Sequence, residues 1–237
     1  MGSNDNNLHA VNAASGDELW SFETNGFMSS SPVVVDRTVF VGSDDNFLYA
    51  IDANSGEEVW NFETQDIISS SPVVIDETVF IGSHDGIMYA INKNSGEEMW
   101  TFETNGSIKS SPTVSDGTLF VGSTDNHLYA IDSNSGEELW NYRSFNSFVS
   151  SPTVKYGNVF IGNYHNPTGL IALDSQTGDE IWTFNTDNRV YSSPTVFDGM
   201  VIFGCDGYTI YALDASSGEE LLRYNTDGRY FPSSVIS

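Results

Sequence analysis

A long internal repeat predicts an all-β fold, a β-propeller of about six blades, each a four-stranded antiparallel sheet. One sequence block begins at residues 8, 48, 88, 128, 170 and 210, so the spacings are 40, 40, 40, 42 and 40. Apolar and polar residues alternate within each repeat, between Gly, Asn and Asp turn signals, which indicates short strands. Four such strands in a repeat of this length are typical of a propeller blade, and a stacked solenoid is the alternative.

Each strand is assigned from its residue types and the turns that bound it. No segment has the spacing of a helix. Residues 31–63 illustrate the assignment. One Asp-centred turn and two Asn- or Gly-containing turns divide them into four segments, the first of which is rich in β-branched residues. The four predicted strands there are Ser31–Val35, Thr38–Val41, Phe47–Asp52 and Glu58–Glu63.

The two ends of the chain predict how the propeller closes. Gly2–Asn6 matches Gly42–Asn46 in register, and Ser237 falls at the register of Val35. We therefore predict a single domain over residues 1–237, whose closing blade takes residues 229–237 as its inner strand and 2–24 as its outer strands. The stretch equivalent to 36–41 has no sixth copy, so that blade should lack one strand. The alternative is a segment of a longer array.

Net charge narrows the classes of function. The chain carries 33 Asp and Glu against 8 Lys and Arg, a formal net charge of −25. We expect no nucleic-acid binding and no attraction to an anionic membrane surface, because this field repels phosphates. No apolar run is long enough for a membrane span, and no secretory signal is evident. Dense carboxylates and scarce lysine predict a halophilic source, since salt screens their repulsion.

A turn motif precedes a tryptophan in most of the repeats. In the second copy it is Asp52-x-x-Ser55-Gly56-x-x-x-Trp60, preceded by Ala50. These residues resemble the tryptophan-docking motif of the pyrroloquinoline-quinone (PQQ) type propeller repeats, and the resemblance covers nearly the whole chain. It implies that the indoles pack between neighbouring blades. The matching residues are Trp20, Trp60, Trp100, Trp140 and Trp182.

The family that this motif resembles contains quinoprotein dehydrogenases and non-catalytic scaffolds, including the propeller lipoprotein of the outer-membrane assembly machine. Its dehydrogenases have eight blades, a calcium ion beside the quinone and often two adjacent cysteines. This chain has about six repeats and one cysteine, Cys205, and it places Leu222 at the sixth docking position. The resemblance implies an extracellular, cell-surface or periplasm-like location. We expect no cofactor, and PQQ with calcium is the alternative.

Catalytic and metal-binding constellations are not evident in the sequence. The four histidines, His9, His84, His127 and His165, lack ligand spacing, and no nucleophile elbow or phosphate loop occurs. One cysteine cannot form an internal disulfide. Two groups of carboxylates recur at turns, and we interpret both as solvated. We therefore predict no catalytic residue and no metal ligand.

The repetition breaks at one segment, which links each outer strand to the next inner strand. Acidic positions of the early copies become neutral or basic in the later ones, and neighbouring positions gain cationic and aromatic residues, at the predicted mouth of the central channel. Arginine binds carboxylates with two parallel hydrogen bonds, and tyrosine stacks on flat rings. The predicted ligand-binding residues are Lys109, Arg143, Arg189, Tyr191, Arg229 and Tyr230. A turn two residues longer than its counterparts, 163–169, is predicted on the same face.

These features favour a non-catalytic scaffold, expected to be a monomer, that binds a protein partner or a small carboxylate ligand. Two alternatives remain open. The first is a PQQ-binding dehydrogenase or quinone sensor, which the family resemblance implies. The second is a segment of a structural cell-surface repeat protein, which the matching chain ends favour.

Overall fold

The computed structural model describes residues 5–164, 168–206 and 208–226, and every regular element in those ranges is a β-strand. The chain divides into two compact units, Met1–Pro112 and Thr113–Ser237. The strands are numbered β1 to β22 in chain order. Among the described residues, no helix exists that could cross a lipid bilayer.

The first unit contains three antiparallel sheets. β1 and β2 form a two-stranded sheet, whereas β3–β6 and β7–β10 each form a four-stranded sheet with the strands in chain order. The strands are β1 (Asn7–Val11), β2 (Glu18–Glu23), β3 (Val33–Val35), β4 (Thr38–Gly42), β5 (Phe47–Asp52), β6 (Glu58–Glu63), β7 (Val73–Ile75), β8 (Thr78–Gly82), β9 (Ile87–Asn92) and β10 (Glu98–Glu103).

The second unit contains three four-stranded antiparallel sheets, β11–β14, β15–β18 and β19–β22, again with the strands in chain order. The strands are β11 (Thr113–Ser115), β12 (Thr118–Gly122), β13 (His127–Asp132), β14 (Glu138–Arg143), β15 (Thr153–Lys155), β16 (Asn158–Gly162), β17 (Thr168–Asp174), β18 (Glu180–Thr186), β19 (Thr195–Phe197), β20 (Met200–Cys205), β21 (Thr209–Asp214) and β22 (Glu220–Asn225).

These sheets confirm the predicted four strands per repeat and the all-β class. Phe47–Asp52 and Glu58–Glu63 have the predicted bounds. The inner strand begins at Val33 instead of Ser31. Pro32 has no N–H to give to a ladder, and the Ser31 N–H instead donates to Ser71 Oγ at 2.9 Å, so these two residues leave the sheet before the strand starts.

Within each unit the core lies between successive sheets, because the two middle strands of the four-stranded sheets are buried. Phe40 and Leu48 of one sheet pack with Ile81 and Ile91 of the next in a single buried cluster. The same arrangement joins two sheets of the second unit, where the buried cluster spans from β12 to β17. Continuous apolar runs in β4 and β5 are the sequence signature of strands buried on both faces.

The outer strand of each sheet begins with an irregularity, which directly precedes a tryptophan in every outer strand except β22, where Leu222 stands instead. Trp60 pairs with Ala50, whereas Glu58 pairs with Ile51, so Val59 is an extra residue on the outer strand. Such a bulge increases the local twist and redirects side chains. The turn before it is held by Asp52, whose carboxylate accepts the N–H groups of Asn54 and Ser55 at 2.9 and 2.8 Å.

The predicted closing blade is only partly within the described residues. Its outer strands are β1 and β2, which form the two-stranded sheet. Residues 2–4 and 229–237, which were predicted to contribute to the same blade, lie outside the described ranges.

Candidate functional site

Each indole N–H for which a hydrogen bond is resolved donates to a backbone carbonyl of the following sheet. The four N–O distances are 2.9 Å for Trp20 to Ala53, 3.0 Å for Trp60 to Lys93, 3.2 Å for Trp140 to Ser175 and 3.2 Å for Trp182 to Ala215. The acceptor always directly follows the third strand of its sheet. These bonds satisfy the polar end of a large, half-buried ring.

The face of each of these rings lies against the glycine that ends the turn after the third strand of the following sheet. A Cβ built on Gly56 would lie 2.8 Å from the Trp20 ring, and one on Gly178 would lie 2.6 Å from the Trp140 ring. Both glycines have positive φ, 74° and 76°. Glycine is needed there for the backbone conformation and for the close approach of the ring.

A cationic and aromatic cluster lies in the second unit, where Arg189 meets Tyr164 and Tyr191. The guanidinium carbon of Arg189 is 4.8 Å from the centroid of the Tyr164 ring. An Arg189 nitrogen also donates to the Tyr164 hydroxyl at 3.3 Å. The two tyrosine rings meet edge to face, with centroids 4.8 Å apart. We call Tyr164, Arg189 and Tyr191 the arginine–tyrosine cluster.

Electrostatics within this cluster keep the arginine charged and the tyrosine neutral. A hydrogen bond with Tyr191 raises the pKa of Arg189 further above its ordinary value, and Tyr164 and Asp206 add to the effect. Burial is the main reason that the pKa of Tyr191 is raised, followed by its hydrogen bond with Tyr164. At neutral pH the positive charge of Arg189 therefore lies beside a neutral Tyr191.

The longer turn explains how Tyr164 joins the cluster. The backbone N–H of Tyr164 donates to Ser147 O, and the Asn163 side chain accepts the Gly169 N–H at 2.8 Å, which spans the insertion. On the other side, the Asp206 N–H donates to Arg189 O. Tyr164 was not predicted as a ligand-binding residue. The unequal turn length at 163–169 was the signal that could have identified it.

Of the other predicted ligand-binding residues, the structure describes Arg143 and Lys109. Arg143 lies at the end of β14 and lines a separate cavity of about 370 Å³ with Asn126 and Phe145. Lys109 is an exposed residue of the first unit. Arg229 and Tyr230 lie outside the described residues, so their predicted part in the site stays a prediction.

Three of the four histidines lie within the described residues, and each has a local partner. His9 lies between Asp5 and Glu18, at 3.0 and 2.8 Å, and their hydrogen bonds raise its pKa. Nε2 of His84 is 2.7 Å from Ser69 Oγ, and burial followed by the Lys109 charge lowers its pKa. Among the described residues, no three His, Cys, Asp or Glu side chains are arranged to hold a metal ion.

One group of carboxylates was interpreted as solvated, and the structure shows that this was wrong for Asp125. Its side chain is only 5% exposed. Oδ2 accepts the Tyr129 hydroxyl at 2.8 Å, and Oδ1 accepts the His127 N–H at 3.0 Å. Asp45 and Asp85 accept the hydroxyls of Tyr49 and Tyr89 in the same way. These aspartates are structural, and the tyrosine that follows four residues later was the available signal.

Comparison with solved structures places the fold in a class. BamB from Moraxella catarrhalis is 24% identical, with a TM-score of 0.87 over 99% of this chain and 75% of that one. The computationally designed Ika8 protein is 16% identical, with a TM-score of 0.87 over 97% of this chain and 72% of that one. Quinohemoprotein alcohol dehydrogenase from Comamonas testosteroni is 18% identical, with a TM-score of 0.72 over 83% of this chain but 42% of that one. The fold is a β-propeller of PQQ-type repeats, as predicted.

The family follows from the sequence match. The family model described as outer membrane protein assembly factor BamB matches residues 4–111, 84–166 and 165–236, and the chain belongs to that family. No curated protein sequence matches the chain significantly.

A quinone with its calcium ion was the alternative cofactor, so its fit was tested against the donor atoms that are present. Calcium takes six to eight oxygen ligands, usually including several carboxylates. The described residues offer no cluster of three acidic, histidine or cysteine side chains. In the same part of the chain, two buried side-chain oxygens lack a partner, Asn6 Oδ1 and Asp44 Oδ1, and they do not make such a set. Within the described part of the chain, no set of side chains of the kind that holds calcium is therefore assembled.

Proposed function

We propose that this protein is a non-catalytic propeller scaffold that binds a small carboxylate ligand or an acidic group of a protein partner at the arginine–tyrosine cluster. The observation that carries the proposal is the position of Arg189, with its guanidinium 4.8 Å from the Tyr164 ring and its partner Tyr191 in edge contact with that ring. A guanidinium held against a tyrosine has fewer conformations to lose when it binds an anion.

Charge distribution supports a carboxylate as the ligand. Most of the molecule repels anions, because the net charge is −25. An anion that binds must therefore gain specific hydrogen bonds, and arginine supplies two parallel ones. The half-buried Tyr164 and the exposed Tyr191 add apolar ring surface beside the guanidinium, which favours an aromatic carboxylate.

Family membership supports a scaffold role and a location outside the cytoplasm. The family is named for an outer membrane protein assembly factor, which suggests a protein partner. We further propose that residues 1–237 act as one monomeric domain, because the repeat spacing is unchanged at 40 across residues 112 and 113. A halophilic source is proposed from the acidic composition alone.

Isothermal titration calorimetry tests the binding site directly. The probes are benzene-1,3,5-tricarboxylate and PQQ, each added to the full chain without calcium. Arg189→Gln removes the charge and should weaken binding by about tenfold or more. Arg143→Gln removes an exposed arginine that lines a different cavity, and it should leave the affinity unchanged. Equal affinities in the wild type and Arg189→Gln would refute the proposed site.

A second measurement separates binding from catalysis. If the chain is a scaffold, saturating PQQ with added calcium should give no dye-linked oxidation of primary alcohols. Turnover that depends on both additions would favour the dehydrogenase alternative, for which the similarity to quinohemoprotein alcohol dehydrogenase is the supporting observation.

A further inference from the structure

A lysine fills the groove between the sheets β3–β6 and β7–β10. Lys93 follows β9, and its carbonyl accepts the Trp60 indole N–H at 3.0 Å. Its ammonium nitrogen reaches back to the preceding sheet, 3.0 Å from Asp36 Oδ2, and lies 3.2 Å from Glu77 Oε1. The Lys93 side chain is only 12% exposed. At this boundary the groove therefore holds an alkyl chain whose charged end is paired with carboxylates.

The boundary between the sheets β11–β14 and β15–β18 has the equivalent groove without the lysine, and Gly157 stands there at the position of Glu77. Ser175 stands at the position of Lys93, since its carbonyl accepts the Trp140 indole N–H. Asp116 stands at the position of Asp36, directly after the inner strand. Because serine is short, a cavity of about 230 Å³ remains, and its lining includes Asp116, Phe120, Leu139, Trp140, Ser175 and Gln176.

The walls of this cavity match an alkylammonium group. Phe120, Leu139 and Trp140 supply apolar contacts for a chain of methylenes. Asp116 supplies a carboxylate at one end, which the Ser115 hydroxyl already orients through a hydrogen bond of 3.2 Å. Leu139 is 54% exposed, so the cavity opens to solvent along this wall. Lysine side chains commonly bury their methylenes against apolar surface and keep the ammonium at a polar edge.

We propose that the cavity beside Trp140 binds an alkylammonium group, in the orientation that Lys93 adopts at the other boundary. The group is either a lysine side chain on a partner protein or a free primary amine. This site is separate from the arginine–tyrosine cluster and takes a ligand of opposite charge. The negative charge of the whole molecule attracts such cations and increases their rate of encounter.

Two substitutions test the assignment from opposite directions. Asp116→Asn keeps the shape of the cavity and removes the charge. Ser175→Lys keeps Asp116 and places a lysine where Lys93 stands in the other groove, so the cavity becomes filled from within. The probe is Nα-acetyl-lysine methylamide, titrated by calorimetry and by the shift of the Trp140 indole N–H resonance. The norleucine analogue, which lacks the ammonium, is the matched control ligand.

The wild-type chain should show one saturable site for the lysine probe and none for the norleucine analogue. Asp116→Asn should weaken binding by about tenfold or more, because a charge-assisted hydrogen bond is lost. Ser175→Lys should abolish binding at a preserved melting temperature. The reverse change, Lys93→Ser, should open a second site and raise the stoichiometry from one to two.

The source of the amine is distinguished by a second ligand. Saturation by n-butylamine as well as by the lysine probe assigns the site to free primary amines. Saturation by the lysine probe alone assigns it to a lysine of a partner protein. The proposal is overturned if neither ligand saturates, or if folded Asp116→Asn and Ser175→Lys bind the lysine probe as the wild type does.

Discussion

The ammonium group of Lys93 lies 3.0 Å from a carboxylate oxygen of Asp36 and thereby joins two successive sheets of the first unit. The Asp36 hydrogen bond is the main reason that the pKa of Lys93 is raised above its ordinary value of 10.5. A group whose pKa is raised in the folded state stabilises that state fully below its unfolded pKa. The contact should therefore stabilise the protein throughout the neutral range.

Replacing Lys93 with methionine should lower the melting temperature at pH 7 and shift its pH dependence. The stabilisation by the charged lysine is lost only as the pH rises through the raised folded pKa, so the wild type and Lys93→Met should converge only above the ordinary pKa of 10.5. Differential scanning calorimetry from pH 6 to pH 12 measures this. Lys155→Met, at an exposed lysine, is the control and should change little. A difference between wild type and Lys93→Met that is constant to pH 12 would contradict the assignment.

Alanine at Gly178 should cost more stability than alanine at Gly157. Both glycines have φ of 76°, so the backbone cost of about 1 kcal/mol is common to the two variants. Only at Gly178 does the new Cβ meet a ring, 2.6 Å from Trp140, whereas nothing lies within 4 Å at Gly157. Overpacking adds about 1–3 kcal/mol. Urea unfolding of both variants measures the difference, and equal losses would mean that the ring moves away freely.

Removing the Ser70 hydroxyl should destabilise the chain by about 2 kcal/mol, or a melting shift of about 4–8 °C. Ser70 Oγ donates to Gly82 O at 2.9 Å and accepts from Gly82 N at 3.0 Å. The Ser70 side chain is fully buried, so Ser70→Ala leaves both backbone groups without a partner. The exposed Ser31→Ala variant is the control. A loss below about 0.5 kcal/mol would show that water replaces the hydroxyl.

Acid should remove the contribution of the Asp214 carboxylate to the stability of the folded state only at very low pH. Hydrogen bonds from the Ser216 hydroxyl and from the N–H groups of Ser217 and Ser216 lower the pKa of Asp214 to about 2. A carboxyl whose pKa is lower in the folded than in the unfolded state stabilises the folded state fully above its unfolded-state pKa. This stabilisation is lost as the pH falls through its folded-state pKa. Asp214→Asn should therefore differ from the wild type at pH 6 and converge with it near pH 2.

The same measurement has a matched control in Asp198, an exposed aspartate in another turn of the same sheet. Asp198→Asn controls for the general effect of replacing an exposed turn carboxylate with an amide. Carbon NMR titration of the Asp214 carboxyl gives the pKa independently, and a midpoint near the ordinary 3.8 would exclude the explanation.

Molar KCl should raise the melting temperature of the wild type, because a net charge of −25 on a folded chain repels itself and salt screens that repulsion. Melts in 0.05, 1 and 3 M KCl, with sucrose at matched water activity as the control, measure the effect of screening. Midpoints that do not change with KCl would rule out the salt-adaptation hypothesis.

The repeat was sufficient to predict the fold. Continuous apolar runs such as Leu48–Ile51 are found where strands are covered on both faces, and the Asp52 turn occurs where its side chain can bind two backbone N–H groups. Both features depend only on residues close together in the sequence. They can therefore be predicted in each copy separately, without coordinates. Ser31 and Pro32 were wrongly assigned to the inner strand. The Ser31 N–H donates to Ser71, which is 40 residues away and therefore outside any local pattern.

Individual sites depended on contacts that the repeat does not contain. The sequence singled out Arg189 and Tyr191 by their departure from the pattern, but Tyr164 was missed because its ring reaches Arg189 from a different hairpin. Lys93 and Ser175 occupy equivalent positions, yet only the tertiary structure shows that one fills a groove that the other leaves open.

The sequence by itself determined the all-β class, the four strands of each repeat and the positions of the turns, since these follow from local conformational preference and the alternation of apolar residues. Tertiary structure alone decided which side chains meet between neighbouring sheets. These contacts depend on side-chain length and on distances of a few ångströms between residues that are tens of positions apart in the sequence. No local sequence pattern therefore predicts them.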